Sequence, residues 1–346
     1  MANLMITTAC NFRCPYCFGL DLFGPGKARQ YMPLALFKEL LDWIDRANLP
    51  ELAVHLMGGE PTLHPDFANM VEELVKRGRQ ICVFSNAAAP LDEAVIRRAA
   101  SMGVRWIVNC NPPDTYRDNQ LDLLHQHLAV LGRAANITFN LTDGQTPYQY
   151  VLDYIEQYDL NRNIKLGVAL PTLEHRNVHA GWDALPAIAR QIMKLLRDAR
   201  RRRIELEFEC GVPYCLFSEE EHAELGGNHL SHCASRLDIT PAGEVINCLP
   251  LCRVASIPFQ KFPDYRQARE WYARMQAPYR QVGGAARCLD CAHRLQGLCS
   301  VCLAQGLGEY SRIVLPALPG EEPGTTHESD LKRNANCRPG TCAGPL

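Results

Sequence analysis

Cys10, Cys14 and Cys17 stand three and then two residues apart in Cys10-Asn11-Phe12-Arg13-Cys14-Pro15-Tyr16-Cys17. Thiolates suit iron–sulfur clusters and zinc, and a loop this short can hold three corners of a cubane while a fourth iron stays open to substrate. A second set lies far along the chain: Cys233, nine residues, Gly243, four residues and Cys248, then Cys288-x2-Cys291 and Cys299-x2-Cys302. Cys210 and Cys215 precede this set, and Cys337 and Cys342 follow it. Sixteen cysteines in 346 residues far exceed ordinary usage. In a reducing compartment such spacing points to metal or cluster ligands or catalytic thiols rather than disulfides. For Cys288, Cys291, Cys299 and Cys302 a zinc knuckle is the competing reading, although seven residues between the pairs is short for a zinc ribbon.

Composition narrows the class of partner. Apolar residues make up 47%, charged residues 21%, and the formal net charge is −2, so no global field draws nucleic acid or an anionic membrane. No apolar run reaches the ~18 residues that a bilayer span needs, and the N-terminus lacks the pattern of a secretory signal. A cytoplasmic protein with no nucleic-acid or membrane partner is expected.

The elements that must position the first cysteine loop are legible as alternating β and helical periods. Strands are expected at residues 3–7, 53–57, 80–84, 105–110, 137–141 and 164–169, separated by amphipathic helices. Leu36, Leu40, Leu41 and Ile44 lie on one such helical face, and Phe67, Met70, Val71 and Leu74 on the next. Gly78 and Gly103 fall where left-handed helix caps are wanted. The fold class is α/β, a partial (β/α)6 TIM-like barrel followed by a small cysteine-rich domain. Active sites on such folds gather at the C-terminal ends of the strands. A long helix over 183–203 and a strand at 204–208 lead toward the second domain. The expected division is 1–204, 205–315 and an irregular tail at 316–346. Residues 238–245 read as a β-hairpin turning at Ala242-Gly243.

The C-x3-C-x2-C loop, with Tyr16 before its last cysteine, resembles the signature of the radical S-adenosylmethionine (SAM) superfamily. One βα unit later, Gly58-Gly59-Glu60-Pro61 resembles the same family's motif for the methionine amino group of SAM. The resemblance implies a [4Fe–4S] cluster with an open iron on Cys10, Cys14 and Cys17. It also implies SAM bound over Gly58, Gly59, Glu60 and Pro61, with the glycines letting the backbone approach the ligand and Glu60 or backbone carbonyls accepting from its ammonium. Tyr16, Ser85, Asn86, Asn109 and Asn140, at or near strand ends, are further candidates for contact with SAM, although turn formation accounts for the strand-end residues equally. In the family, reductive cleavage of SAM yields a 5′-deoxyadenosyl radical that takes a hydrogen from substrate. Cys110 is a candidate hydrogen donor of the kind radical epimerases use, if its side chain rather than that of Asn109 points inward.

The C-x9-G-x4-C hairpin followed by cysteine pairs is similar to the SPASM region, or its smaller twitch form, which carries auxiliary clusters. The usual run is C-x2-C-x5-C-x3-C, and this chain has C-x2-C-x7-C-x2-C. One or two auxiliary [4Fe–4S] clusters are implied, drawing on Cys233, Cys248, Cys288, Cys291, Cys299 and Cys302, with Cys210, Cys215, Cys337 or Cys342 as recruits for a second. Leu249 stands where the sulfatase-maturing branch has its acidic base, which disfavours oxidation to formylglycine. The resemblance implies a radical SAM oxidoreductase acting on a peptide by cross-linking, oxidation or epimerisation. A dehydrogenase or epimerase of a sugar or aminocyclitol is the rival, and a non-catalytic iron–sulfur or zinc redox sensor the reading from another class. Flavodoxin or ferredoxin is the expected reductant. Because the first strand begins at Asn3, a separate leader-binding protein is expected.

Overall fold

The computed structural model describes residues 1–24, 26–173, 176–227, 236–277, 284–285, 288–299 and 302–307. The expected Cys233, Cys337 and Cys342 and the tail at 316–346 lie outside them. One mixed sheet runs through the described residues, built from β1 (Ala2–Thr7), β2 (Val54–Gly58), β3 (Ile81–Ser85), β4 (Arg105–Asn109), β5 (Ala135–Leu141), β6 (Asn163–Val168), β7 (Glu205–Phe208), β8 (Leu237–Ile239), β9 (Glu244–Ile246) and β10 (Ile257–Pro258). Their order is β10-β9-β8-β1-β2-β3-β4-β5-β6-β7. Strands β1 to β7 are parallel, and β8 joins the other side of β1, also parallel, while β9 and β10 turn back antiparallel. This is the expected partial barrel, with its six βα strands where the sequence places them. The sheet also continues past residue 205 on both edges, through β7 on one and β8 to β10 on the other.

Helices follow the strands in the order α1 (Leu20–Phe23), α2 (Leu34–Arg46), α3 (Phe67–Lys76), α4 (Glu93–Ser101), α5 (Gln120–Leu131), α6 (Gln149–Gln157), α7 (Leu185–Arg201), α8 (Glu219–Leu225), α9 (Tyr265–Gln276) and α10 (Ala292–Leu295). None of the described helices is long and apolar enough to cross a membrane. On α2 the residues Phe37, Leu40, Leu41, Trp43 and Ile44 are buried, each large side chain contributing about 1.5–3 kcal/mol. Trp43 packs edge-on against Phe259 and Tyr265, and its indole N–H donates to the Phe262 carbonyl at 2.9 Å. Tyr265 in turn donates to the Met1 carbonyl at 2.6 Å. These contacts fix the C-terminal hairpin to the first βα unit. Gly243, at φ +80°, makes the hairpin turn between β8 and β9, a conformation that costs glycine little.

Period-two alternation sends one face of each strand into the barrel. Register puts Asp238, Asn3, His55, Cys82 and Arg105 at one level across β8, β1, β2, β3 and β4. Asn109, Thr138, Lys165 and Glu207 share another across β4 to β7. Lys165 and Glu207 pair at 2.7 Å. The first group lies toward the N-terminal ends of the strands, where Asp238 is buried and Arg105 exposed, and the opposite strand ends carry the site.

Candidate active site

The cysteine loop leaves β1 at its C-terminal end. Each sulfur accepts a hydrogen bond: Cys10 Sγ from Phe12 N at 3.4 Å, Cys17 Sγ from Gly19 N at 3.3 Å and Cys14 Sγ from Asn111 Nδ2 at 3.6 Å. Burial pushes the Cys10 thiol up to about 12, with the charges of Glu60, Cys14 and Cys17 acting the same way. Burial likewise raises Cys17 to about 11, and raises Cys14. Such thiols surrender their protons to a cation that compensates for the lost water. Three soft, half-buried sulfurs on one loop, each with an N–H donor, fit a [4Fe–4S] cluster with one open iron. Among the described residues no three His, Cys, Asp or Glu side chains crowd round a point as ligands of one metal ion would.

A ladder of amides holds this loop to the strand ends. Tyr16 donates its phenol to Asn111 Oδ1 and accepts from Asn109 Nδ2 at 3.1 Å. Asn109 Oδ1 accepts from Asn140 Nδ2 at 3.2 Å, which links β4 to β5. Asn11 joins β3 through Asn86 Nδ2 at 2.8 Å and the Ala88 carbonyl at 2.8 Å. After β6, Asn177 Nδ2 reaches both the Tyr16 and Leu170 carbonyls, at 3.0 and 2.9 Å. Expected residues Tyr16, Asn109 and Asn140 are therefore brought together at the mouth of the barrel. Asn111 belongs to the polar strand end Asn109-Cys110-Asn111, whereas Asn11 and Asn177 were outside the expected set, and of these two only Asn11, inside the cysteine motif, carried a sequence signal.

The structure gives the remaining motif residues the following partners. Glu60 is fully buried and its carboxylate is already filled: Thr62 N and Oγ1 donate to Oε1 at 3.2 and 2.7 Å, Ser85 Oγ at 2.8 Å, and Asn86 N donates to Oε2 at 2.7 Å. Burial raises its pKa against these donors. Glu60 therefore ties β2 to β3. Ser85 and Asn86, expected to meet SAM, bond to Glu60 and Asn11. A Cβ on Gly58 would lie 2.2 Å from the Thr7 carbonyl oxygen, and one on Gly59 2.2 Å from that of Ala9. The close approach these glycines permit is thus to the end of β1, with Gly59 N and Glu60 N donating to Thr7 O and Ala9 O at 2.9 and 2.7 Å. Pro61 is buried at the start of the following 3-10 turn. Finally, Asn109 and not Cys110 faces the loop. Cys110 is 1% exposed in the apolar core behind β4, and burial raises its thiol. A hydrogen donor would have to reach the barrel interior.

Glu209, just after β7, is a further residue of the site. Its backbone N–H donates to Leu166 O at 2.9 Å, continuing the β6–β7 pairing. A Cβ on Gly167 would lie 2.1 Å from Asn140 Oδ1 and 3.8 Å from Glu209 Oε2. The absent side chain thus makes room for the Asn140 amide, with the Glu209 carboxylate beside it. Burial raises the Glu209 pKa. Its sequence signal is the alternation Glu205, Glu207, Glu209. The auxiliary cysteines divide by position. Cys210 and Cys215 are exposed after β7, and Cys248 follows β9, half-buried like Cys288, Cys291, Cys299 and Cys302.

This chain is similar to several known proteins. A tungsten-containing aldehyde ferredoxin oxidoreductase cofactor-modifying protein from Pyrococcus furiosus is 37% identical over 202 residues, 57% of this chain and 49% of that protein. The PqqA peptide cyclase of Ruegeria pomeroyi is 25% identical over 291 residues, covering 77% of this chain and 72% of that one. The chain spans about half the length of two of the curated relatives it matches. Among solved structures, Streptococcus suis SuiB bound to S-adenosylmethionine superposes with a TM-score of 0.63 at 14% identity, over 84% of this chain and 70% of that chain, a likeness of fold. The family described as the Radical SAM superfamily matches residues 4–127, which hold the cysteine loop, the Gly58–Pro61 turn and four of the parallel strands. With that match and the thiol loop seated on its barrel, residues 4–127 of this chain are similar to the radical SAM superfamily in both sequence and architecture.

Proposed function

We propose that this chain is an oxidoreductase that abstracts hydrogen from a peptide substrate and carries one or two auxiliary [4Fe–4S] clusters in its C-terminal cysteine region. When bound, the [4Fe–4S] cluster on Cys10, Cys14 and Cys17 supplies the electron that cleaves SAM to a 5′-deoxyadenosyl radical. The chain's own residues position and exclude: Tyr16, Asn109 and Asn140 line the space beside the loop, and Glu60 locks the two strands that flank it. Glu209 offers a carboxylate to a cationic or proton-yielding group of the substrate. The observation that carries the peptide reading is the likeness to the PqqA peptide cyclase, which continues well beyond the barrel. SuiB, similar in fold, is also known with its precursor peptide SuiA bound. A reductant such as flavodoxin or ferredoxin, a separate leader-binding protein and a cytoplasmic location complete the proposal.

A small-molecule substrate is the second reading, favoured by the Pyrococcus relative that is named for modifying a cofactor. The test offers the reduced enzyme short deuterated peptides encoded beside its gene and follows deuterium into 5′-deoxyadenosine by mass spectrometry. Transfer from a peptide is the expected result. Transfer from a deuterated sugar or aminocyclitol alone would replace the peptide reading with the second.

A further inference from the structure

Two segments 85 positions apart meet in the cysteine-rich region. Tyr214 N donates to Cys299 Sγ at 3.4 Å, the kind of N–H···S bond that the Cys10 and Cys17 sulfurs also accept. The Tyr214 ring stacks on His222 at 3.8 Å between centroids and meets His293 at 4.7 Å. His293 lies in α10, between Cys291 and Cys299. The run that carries these thiols is folded tightly on itself: Cys291 N donates to Cys288 O at 3.3 Å, Cys299 N to His293 O at 3.2 Å, and Arg294 Nε to Cys288 O at 2.6 Å. Tyr214 is therefore clamped onto this unit by a ring stack and a hydrogen bond, and the next residue in the chain is Cys215.

The Tyr214 bond to Cys299 Sγ brings the adjoining Cys215 beside the tightly folded run that carries Cys288, Cys291 and Cys299. Cys302 belongs elsewhere, packed with Cys248 against Leu251, Leu303 and Ala304. The two cysteines of the Cys299-x2-Cys302 pair thus face different neighbours. We propose that Cys215, from the turn after the seventh strand, joins Cys288, Cys291 and Cys299 as the four ligands of one auxiliary iron–sulfur cluster. Cys215 lies outside both the C-x9-G-x4-C hairpin and the paired-cysteine run, so the cluster would fasten the end of the barrel sheet directly to the C-terminal cysteines. Four thiolates leave no open iron, which suits a cluster that passes electrons rather than one that binds substrate.

The inference rests on the auxiliary clusters proposed above, and the experiment separates the two. The full chain carrying Cys10→Ala, Cys14→Ala and Cys17→Ala is reconstituted anaerobically with iron and sulfide, so that auxiliary sites alone are counted. Iron, sulfide, zinc and the Mössbauer spectrum are then compared with and without Cys215→Ala. The added substitution is expected to remove about four irons per chain, or to leave a [3Fe–4S] signal in place of one cubane. Unchanged iron and an unchanged spectrum would overturn the role of Cys215 while the auxiliary clusters stand. Absence of iron and sulfide from both proteins, or stoichiometric zinc, would overturn the auxiliary clusters themselves and this inference with them. The wild-type chain gives an independent readout that a folding defect cannot imitate: Cys215 is exposed, and its alkylation is expected to be slow in the loaded protein and fast after chelation strips the iron. Equal labelling in both states would overturn the assignment.

Discussion

Asp238 shows how a single buried group couples the two ends of the chain. It accepts from Asn3 Nδ2 at 2.7 Å and from Leu249 N at 3.0 Å, one residue beyond Cys248. Burial pushes its carboxyl up to about 7, against those two donors and the charge of Arg236. The folded protein therefore keeps a proton that the unfolded chain releases near its ordinary value of about 4. This contribution to stability is complete at the acid end of the window and declines as pH rises toward 7, by on the order of a few kcal/mol across it. Thermal unfolding followed from about pH 4 to 7 should show that decline, and Asp238→Asn should flatten it. Parallel pH profiles for the two proteins would contradict the assignment. None of this was legible in the sequence, where Asp238 reads as one residue of a hairpin. The thiols were legible, because the spacing of Cys10, Cys14 and Cys17 lies within one loop. The duties of Glu60, Ser85 and Asn86 were not, since each depends on a neighbour 25 or more positions away.

At the scale of elements, the strands of the βα repeat were legible to within two residues at their start and one at their end, because buried parallel strands and amphipathic helices differ sharply in period. Strand phase was not. Whether Asn109 or Cys110 turns inward is decided by barrel closure and by the Tyr16 hydroxyl that Asn109 meets. Alternation alone allows either. Gly167 on β6 has the same lesson, since its reason is the Asn140 amide on the neighbouring strand. Gly167→Ala would drive a Cβ to 2.1 Å from Asn140 Oδ1 and displace that amide from Asn109. The expected outcome is a loss of about 1–3 kcal/mol of stability and roughly tenfold weaker SAM binding by equilibrium dialysis, with the iron content of the N-terminal cluster intact. Unchanged affinity for SAM would remove Asn140 from the cofactor's surroundings.

At the scale of the whole molecule, the sheet joins regions that the sequence divides near 205. β7 extends one edge beyond β6, and β8 covers the edge of β1 that would otherwise stand open. An open edge of buried apolar strand is an aggregation hazard, so the barrel and the hairpin gain from each other. The fourth ligand of an auxiliary cluster on Cys215 would add a chemical link to that pairing. A shift in composition near 205 marks where helices become sparse, and it does not reveal that the later strands return to the first.

The most direct test of this account is 5′-deoxyadenosine release from SAM by the anaerobically reconstituted, chemically reduced protein, with Cys14→Ala beside it. The account predicts release by the wild type and a loss to background in the variant, whose cluster lacks one of its three sulfurs. Release at equal rates by both, or by neither with a full iron complement, would contradict it.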